Sequence, residues 1–230
     1  MTGIFTVTRK LLLLWGSSTA LAIALVGGIF AYSMNTYYDE VANHKIQEGF
    51  QAVRSHLLSE QDQLQTILQG FAERSDVQSG IGMISKYQKI ESYQPLVFDT
   101  EKKQLASQLG ELIGISGHHY YGLYDAENRL AAYHYEVLDL VGRQEKVGFI
   151  SYENGNPVIM EGPRGEDAAP IVVSIPKILS QAAPTQQMST SQTVISGFDG
   201  GLLMAHYVPI ERQRKVSGNE YLGTVLVVDV

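Results

Sequence analysis

The chain contains no cysteine. Disulfides, thiolate zinc sites, haem attachment through CxxCH and cysteine nucleophiles are thereby excluded, and the absence is compatible with an oxidising compartment. No HExxH, GxSxG, GxGxxG or P-loop sequence occurs either. Without a matched nucleophile and base or a phosphate-cradling loop, the segment reads as non-enzymatic, with no cofactor. Positive charge is scarce: 17 Lys and Arg stand against 24 Asp and Glu, a net charge of -7. An acidic body gives a phosphate backbone no electrostatic reason to bind, so nucleic acid is a poor partner. The same sign disfavours broad adhesion to anionic lipid.

Acids are missing altogether before Asp39, and Arg9 and Lys10 are the only earlier bases. Between them, residues 11–32, "LLLLWGSSTALAIALVGGIFAY", carry no charge at all. As a helix this run spans about 33 Å, enough for a bilayer core. Trp15 and Tyr32 stand near its two ends, where amphipathic rings favour the water–lipid interface. The positive-inside rule then places residues 1–10 in the cytoplasm and the body outside. The alternative is a cleaved signal peptide; its "AYS" site at 31–33 is loose and the apolar run exceeds a usual h-region. Both readings export the body.

Residues 33–74 form the membrane-proximal segment, predicted as one long helix over 36–74, which lacks proline. Ile46, Phe50, Val53, Leu57, Leu64, Ile67 and Phe71 follow a seven-residue repeat, broken by Glu60. Such a seam suits a partner helix and hence a homodimer. An amphipathic helix lying on its own domain uses a similar stripe, widened here by Leu58, Leu68 and Ala72. Both uses remain open.

The remaining chain, 75–230, is expected to be α+β. Gly80 and Gly82 act as breakers before a short helix near 84–90, Pro95 ends that element, and 101–115 is helical. The period then changes. "HHYYGLY" and "LAAYHYE" bracket "DAENR" as a hairpin, and "VGFISY" and "PVIME" bracket "ENGN", whose Asn154-Gly155 is a strong turn signal. "TVISGF", "LLMAHYVPI" and "YLGTVLVVDV" follow, with "ERQRKVSGNE" as a polar loop. A segment rich in Pro, Ala, Gln and Ser, residues 162–193, interrupts the strands. Helices segregated from an antiparallel sheet define the class.

This order resembles the extracytoplasmic sensor domains of the Cache type, the PAS-like modules of bacterial membrane receptors. The likeness covers roughly residues 36–230 and is tightest in the long helix, in "YYGLYDAENRLAAYHY" as first hairpin and in "YLGTVLVVDV" as closing strand. Asn128 stands where the family commonly has glycine. The resemblance implies ligand sensing in a histidine kinase, diguanylate cyclase or chemoreceptor. It also implies a second transmembrane helix and an output module beyond Val230, so that the chain is expected to be part of a longer receptor. It further implies an inserted segment closing over the pocket.

The stretch 120–135 holds five tyrosines. Pairing across "DAENR" places Tyr124 opposite Leu130, Gly122 opposite Ala132 and Tyr120 opposite His134 on one face. Leu123–Ala131, Tyr121–Tyr133 and His119–Tyr135 then share the other. Polar-tipped rings at Tyr121, Tyr133 and Tyr135 suit a small ligand needing apolar contact and hydrogen bonds, and tyrosine faces attract amines. Tyrosine is equally a favoured strand residue that covers sheets. Under the resemblance, the insertion brings Arg164 near, where it could clamp a carboxylate or stay a solvated loop residue. His206 faces the pocket or is a satisfied core histidine. Asp199 reads as a turn former. The ligand class is thus an amino acid, a carboxylate or an amine. His118 and His119, adjacent in a strand, point to opposite faces and cannot chelate one ion; His44 and His56 lie more than three turns apart. A rival reading is a single-pass scaffold or assembly protein whose exported domain binds another protein, the aromatic patch being its hot spot.

Overall fold

The computed structural model describes residues 2–116, 120–139, 142–164, 169–171, 174–199, 201–214 and 218–229. The chain divides into two units, 1–60 and 61–230. Helix α1 (Thr2–Ala72) starts in the first and ends in the second. Among the described residues no helix is long and apolar enough to cross a membrane. Most side chains of 11–22, the first half of the expected span, lie outside the described residues. In the first unit Ile46, Phe50, Val53 and Leu57 are exposed. His44 and His56 each sit 3.3 Å from a glutamate one turn on, Glu48 and Glu60.

In the second unit the stripe is buried. Leu64, Leu68 and Phe71 enter a core with α2 (Ser75–Tyr87), α3 (Pro95–Ser116) and one face of the sheet. Each fully buried leucine or isoleucine there stabilises the fold by about 1.5–3 kcal/mol. The expectation that Gly80 and Gly82 break the chain is corrected: both lie within α2. They are packing glycines. A Cβ at 80 would overlap the Glu101 carboxylate and approach Leu105 Cδ2 to 3.3 Å, while one at 82 would touch Leu222. Pro95 starts α3 instead of ending an element. The carbonyl of Gln94 accepts from Val97 and Phe98, and proline at the first helical position forfeits no bond.

Among the described residues the sheet has eight strands in the order β5-β4-β3-β2-β1-β8-β7-β6, every neighbouring pair antiparallel. In chain order they are β1 (Tyr120–Asp125), β2 (Leu130–Asp139), β3 (Gly142–Glu153), β4 (Asn156–Pro163), β5 (Ala169–Ile171), β6 (Gln192–Phe198), β7 (Gly201–Arg214) and β8 (Gly218–Asp229). The α+β class holds. Asn154 and Gly155 take φ of 51° and 81°, the left-handed pair of a type I′ hairpin. Asp199 takes φ of 42° at the end of β6, in its expected turn. The polar loop expected over 211–220 is mostly strand, because β7 and β8 stay paired out to Arg214 and Gly218. Side-chain polarity does not stop a ladder whose bonds are made by the backbone.

Helices α1, α2 and α3 cover one face of the sheet. The other face is covered by the inserted segment, whose short helix α4 (Lys177–Gln181) brings Ile178 and Leu179 against Tyr124, Tyr133, Leu226 and Val228. Two tyrosines tie it down: Tyr124 donates to the Leu179 carbonyl and Tyr207 to that of Ala182, each at 2.8 Å.

Candidate functional site

Tyr133 on β2 stands in register between Gly122 on β1 and Gly148 on β3, and Gly148 pairs in turn with Glu161 on β4. Residues in register across strands share a face. The row therefore sets a tyrosine and a carboxylate on the insertion face with no side chain between them. The Tyr133 ring lies over Gly148, where a Cβ would overlap it. Its hydroxyl donates to Glu161 Oε2 at 2.9 Å. Two residues along, Tyr135 donates to the same oxygen at 3.1 Å. The rings of Tyr120 and Tyr135 stack at 5.9 Å between centroids and 4° between planes; Tyr133 and Tyr135 stack at 6.1 Å.

Burial, with Glu161 adding to it, holds the Tyr133 and Tyr135 phenols above their ordinary range, so both stay protonated donors. Glu161 Oε1 takes no hydrogen bond among the described residues. Lys146, in register with Tyr135 and half-buried, makes no ion pair or hydrogen bond among them either. Stacked electron-rich rings beside a carboxylate favour a protonated amine. A neighbouring ammonium suits an anionic group on the same molecule.

The expected grouping of Tyr121 with Tyr133 and Tyr135 is corrected. Tyr124 does pair with Leu130, but the register shifts between Leu123 and Tyr124, which sets Tyr121 opposite His134. Tyr121 is fully buried in the helix-side core. The loop itself closes in the expected register, the Asp125 carboxylate accepting from the backbone of Glu127 and Arg129 and from the Arg129 guanidinium; the slip falls beyond it, where Ala131 is the extra residue of β2. Tyr120 and Glu161 complete the cluster in place of Tyr121. Glu161 was legible only through the row that Gly148 opens.

Arg164 clamps a carboxylate of this chain. Its Nη1 donates to Glu145 Oε2 at 2.8 Å, and its Nε would lie 3.3 Å from a Cβ at Gly110 of α3. The same Glu145 oxygen is 3.3 Å from Nε2 of the fully buried His134, near enough for an ion pair but poorly aimed for a hydrogen bond. Burial lowers the His134 pKa, against the pull of Glu145. His206 is buried, with Nδ1 2.9 Å from Thr193 Oγ1. It alternates along β7 with Ala205 and Tyr207, which belong to the insertion-side core, so it lies on the helix face. His118 and His119 lie outside the described residues. The five expected site residues thus divide: Tyr133 and Tyr135 together, Tyr121, Arg164 and His206 elsewhere.

A second polar cluster was missed in the sequence. Lys102 of α3 is buried, and its Nζ donates to the Ile150 carbonyl at 2.5 Å and to Tyr93 Oη at 3.2 Å. Its ammonium lies 4.9 Å from the Tyr93 ring centroid and 5.1 Å from that of Tyr152. Asp99 accepts from Tyr93 at 2.6 Å and from Ser151 at 2.9 Å. Burial lowers the Lys102 pKa to about 7, opposed by Asp99 and Asp125. Nothing in local sequence separates this lysine from its exposed neighbour Lys103.

No family model matches the chain, and neither the curated proteins nor the solved structures contain a significant match.

Proposed function

We propose that the chain is the extracytoplasmic, Cache-like ligand-sensing part of a transmembrane receptor of the histidine kinase, diguanylate cyclase or chemoreceptor type. The observation that carries this reading is the convergence of Tyr133 and Tyr135 on one oxygen of Glu161, beneath an inserted segment. The ligand is a small amine, and with Lys146 on the same face an amino acid fits it best. The anchor rests on the uncharged run 11–32, supported by the exposure of Leu21, Ile23, Leu25, Val26, Ile29 and Phe30. In water such a band is unfavourable; in lipid it is solvated.

Signal transmission follows from placement. β8 lies between β1, which carries Tyr120, and β7, and runs to the end of the described chain. A ligand that prefers one packing of insertion and sheet biases β8 and the C-terminal turns of α1 by its differential affinity, and by no more. The exposed stripe Ile46, Phe50, Val53 and Leu57 serves as the dimer seam along which that bias reaches the membrane.

Thermal unfolding of the full chain in mild detergent, against panels of amino acids, carboxylates and amines, tests the reading. A ligand at 100 times its dissociation constant adds about 2.7 kcal/mol. The stabilisation should vanish in folded Tyr135→Phe and Glu161→Gln variants. A flat response across every panel sinks the sensor reading and favours the anchored scaffold.

A further inference from the structure

A second, separate surface draws attention through its backbone. β7 pairs with β8 over Met204–Arg214 but with β6 only over Gly201–Tyr207, since β6 begins at Gln192 opposite Tyr207. Beyond Tyr207 the outer edge of β7 therefore has no strand beside it among the described residues. No backbone–backbone hydrogen bond outside the β8 ladder reaches 208–214 there. Pro209 fits an edge, where a missing N–H removes no ladder bond.

That edge opens onto a cleft of about 820 Å³ within the 61–230 unit. One wall is Val208, Pro209 and Glu211–Gln213; the facing walls come from the last turns of α1 and from Ser189–Ser191. The wall chemistry is mostly amide, from Gln65, Gln69, Gln78 and Gln213, and hydroxyl, from Ser189–Ser191. Three charged side chains line it without a partner of opposite charge among the described residues. Glu73 accepts only from the Gln69 amide at 3.2 Å, and Glu211 only from the Asn219 amide at 2.6 Å. The Arg212 guanidinium makes one contact, 3.5 Å from Ser79 Oγ.

We infer that this cleft binds an extended peptide segment, which adds as a strand to the free edge of β7. Exposed N–H and C=O groups of an edge strand are matched by another main chain and by few other ligands. The amide side chains suit the outer edge of that same main chain. Arg212 takes an acidic side chain or terminal carboxylate of the segment, and Glu73 and Glu211 take its basic groups. The site lies on β7, four strands (β3, β2, β1 and β8) away from the Glu161 strand β4, and does not depend on the sensing role proposed above.

The test uses the full chain in mild detergent and, as probe, the pool of short peptides in a tryptic digest of casein. Hydrogen–deuterium exchange should slow at 208–214, and retained peptides should carry both charges. Arg212→Gln should lower retention about tenfold, as expected for one charge-assisted contact, while Glu161→Gln leaves it unchanged. Backbone N-methylation of the best-retained peptide should abolish binding, a control that does not touch the protein's fold. Three results would overturn the inference: no protection of 208–214 at any probe concentration, retention indifferent to N-methylation, or protection that rises with protein concentration alone. The last would assign the edge to a second copy of the chain.

Discussion

Gly148 lies beneath the ring of Tyr133, and the phenol of that ring reaches across it to Glu161. A hydrogen bond between the side chains of β2 and β4 exists only because β3 contributes no side chain at the crossing point. Gly148→Ala should push the ring out of a buried site. The expected loss is about 1–3 kcal/mol, as for other overpacked cores. At this chain size that lowers the melting temperature by roughly 2–4 °C per kcal/mol. Calorimetry checks it; an unchanged melting temperature would show that the ring has another place to lie.

Glu161 also acts on the two phenols electrically. Burial is the leading cause of their raised pKa, with the carboxylate second. Glu161→Gln should therefore bring both phenols part of the way back toward the ordinary value. Alkaline titration followed by phenolate absorbance reads this directly, and a curve identical to that of the parent chain would refute the pairing.

Lys102 makes stability depend on pH. Its folded pKa of about 7 lies below the ordinary 10.5, so between those values the unfolded chain binds more protons. Stability then rises with pH through the window, by at most about 1.4 kcal/mol per unit, and the contribution is lost as pH falls toward 7. Lys102→Met should flatten the profile of urea midpoints between pH 7 and 10. Retention of the parent slope would place the titration elsewhere.

The stripe on α1 predicts a separable defect. Phe50→Glu with Val53→Glu should weaken self-association about tenfold or more, read by cross-linking in the membrane. The unit 61–230 should melt as before, since both positions lie outside it. Unaltered cross-linking would exclude this face as the seam.

Much of the architecture was legible in local pattern. The change of period from helix to strand, the Asn154-Gly155 turn, the first hairpin and the closing strand are all encoded within a few residues of where they act. Glycine and proline misled, because their effect depends on what lies opposite. Gly80 and Gly82 read as breakers, yet they let α2 approach Glu101 and Leu222. Pro95 read as a stop and is a start.

By itself the sequence determined composition, charge, the uncharged run 11–32 and the change from helical to strand segments, because those depend on short-range periodicity and chemistry. Only the tertiary structure decided which tyrosines share a face. A single-residue slip between Leu123 and Tyr124 moved Tyr121 into the helix-side core and left Tyr120 with Tyr133 and Tyr135. Alternation along a strand has a period of two, so one extra residue inverts every assignment beyond it. The partners of Arg164 and Lys102 were settled the same way. Glu145 and Ile150 reach them through strand pairing and helix packing, at separations that no local pattern spans.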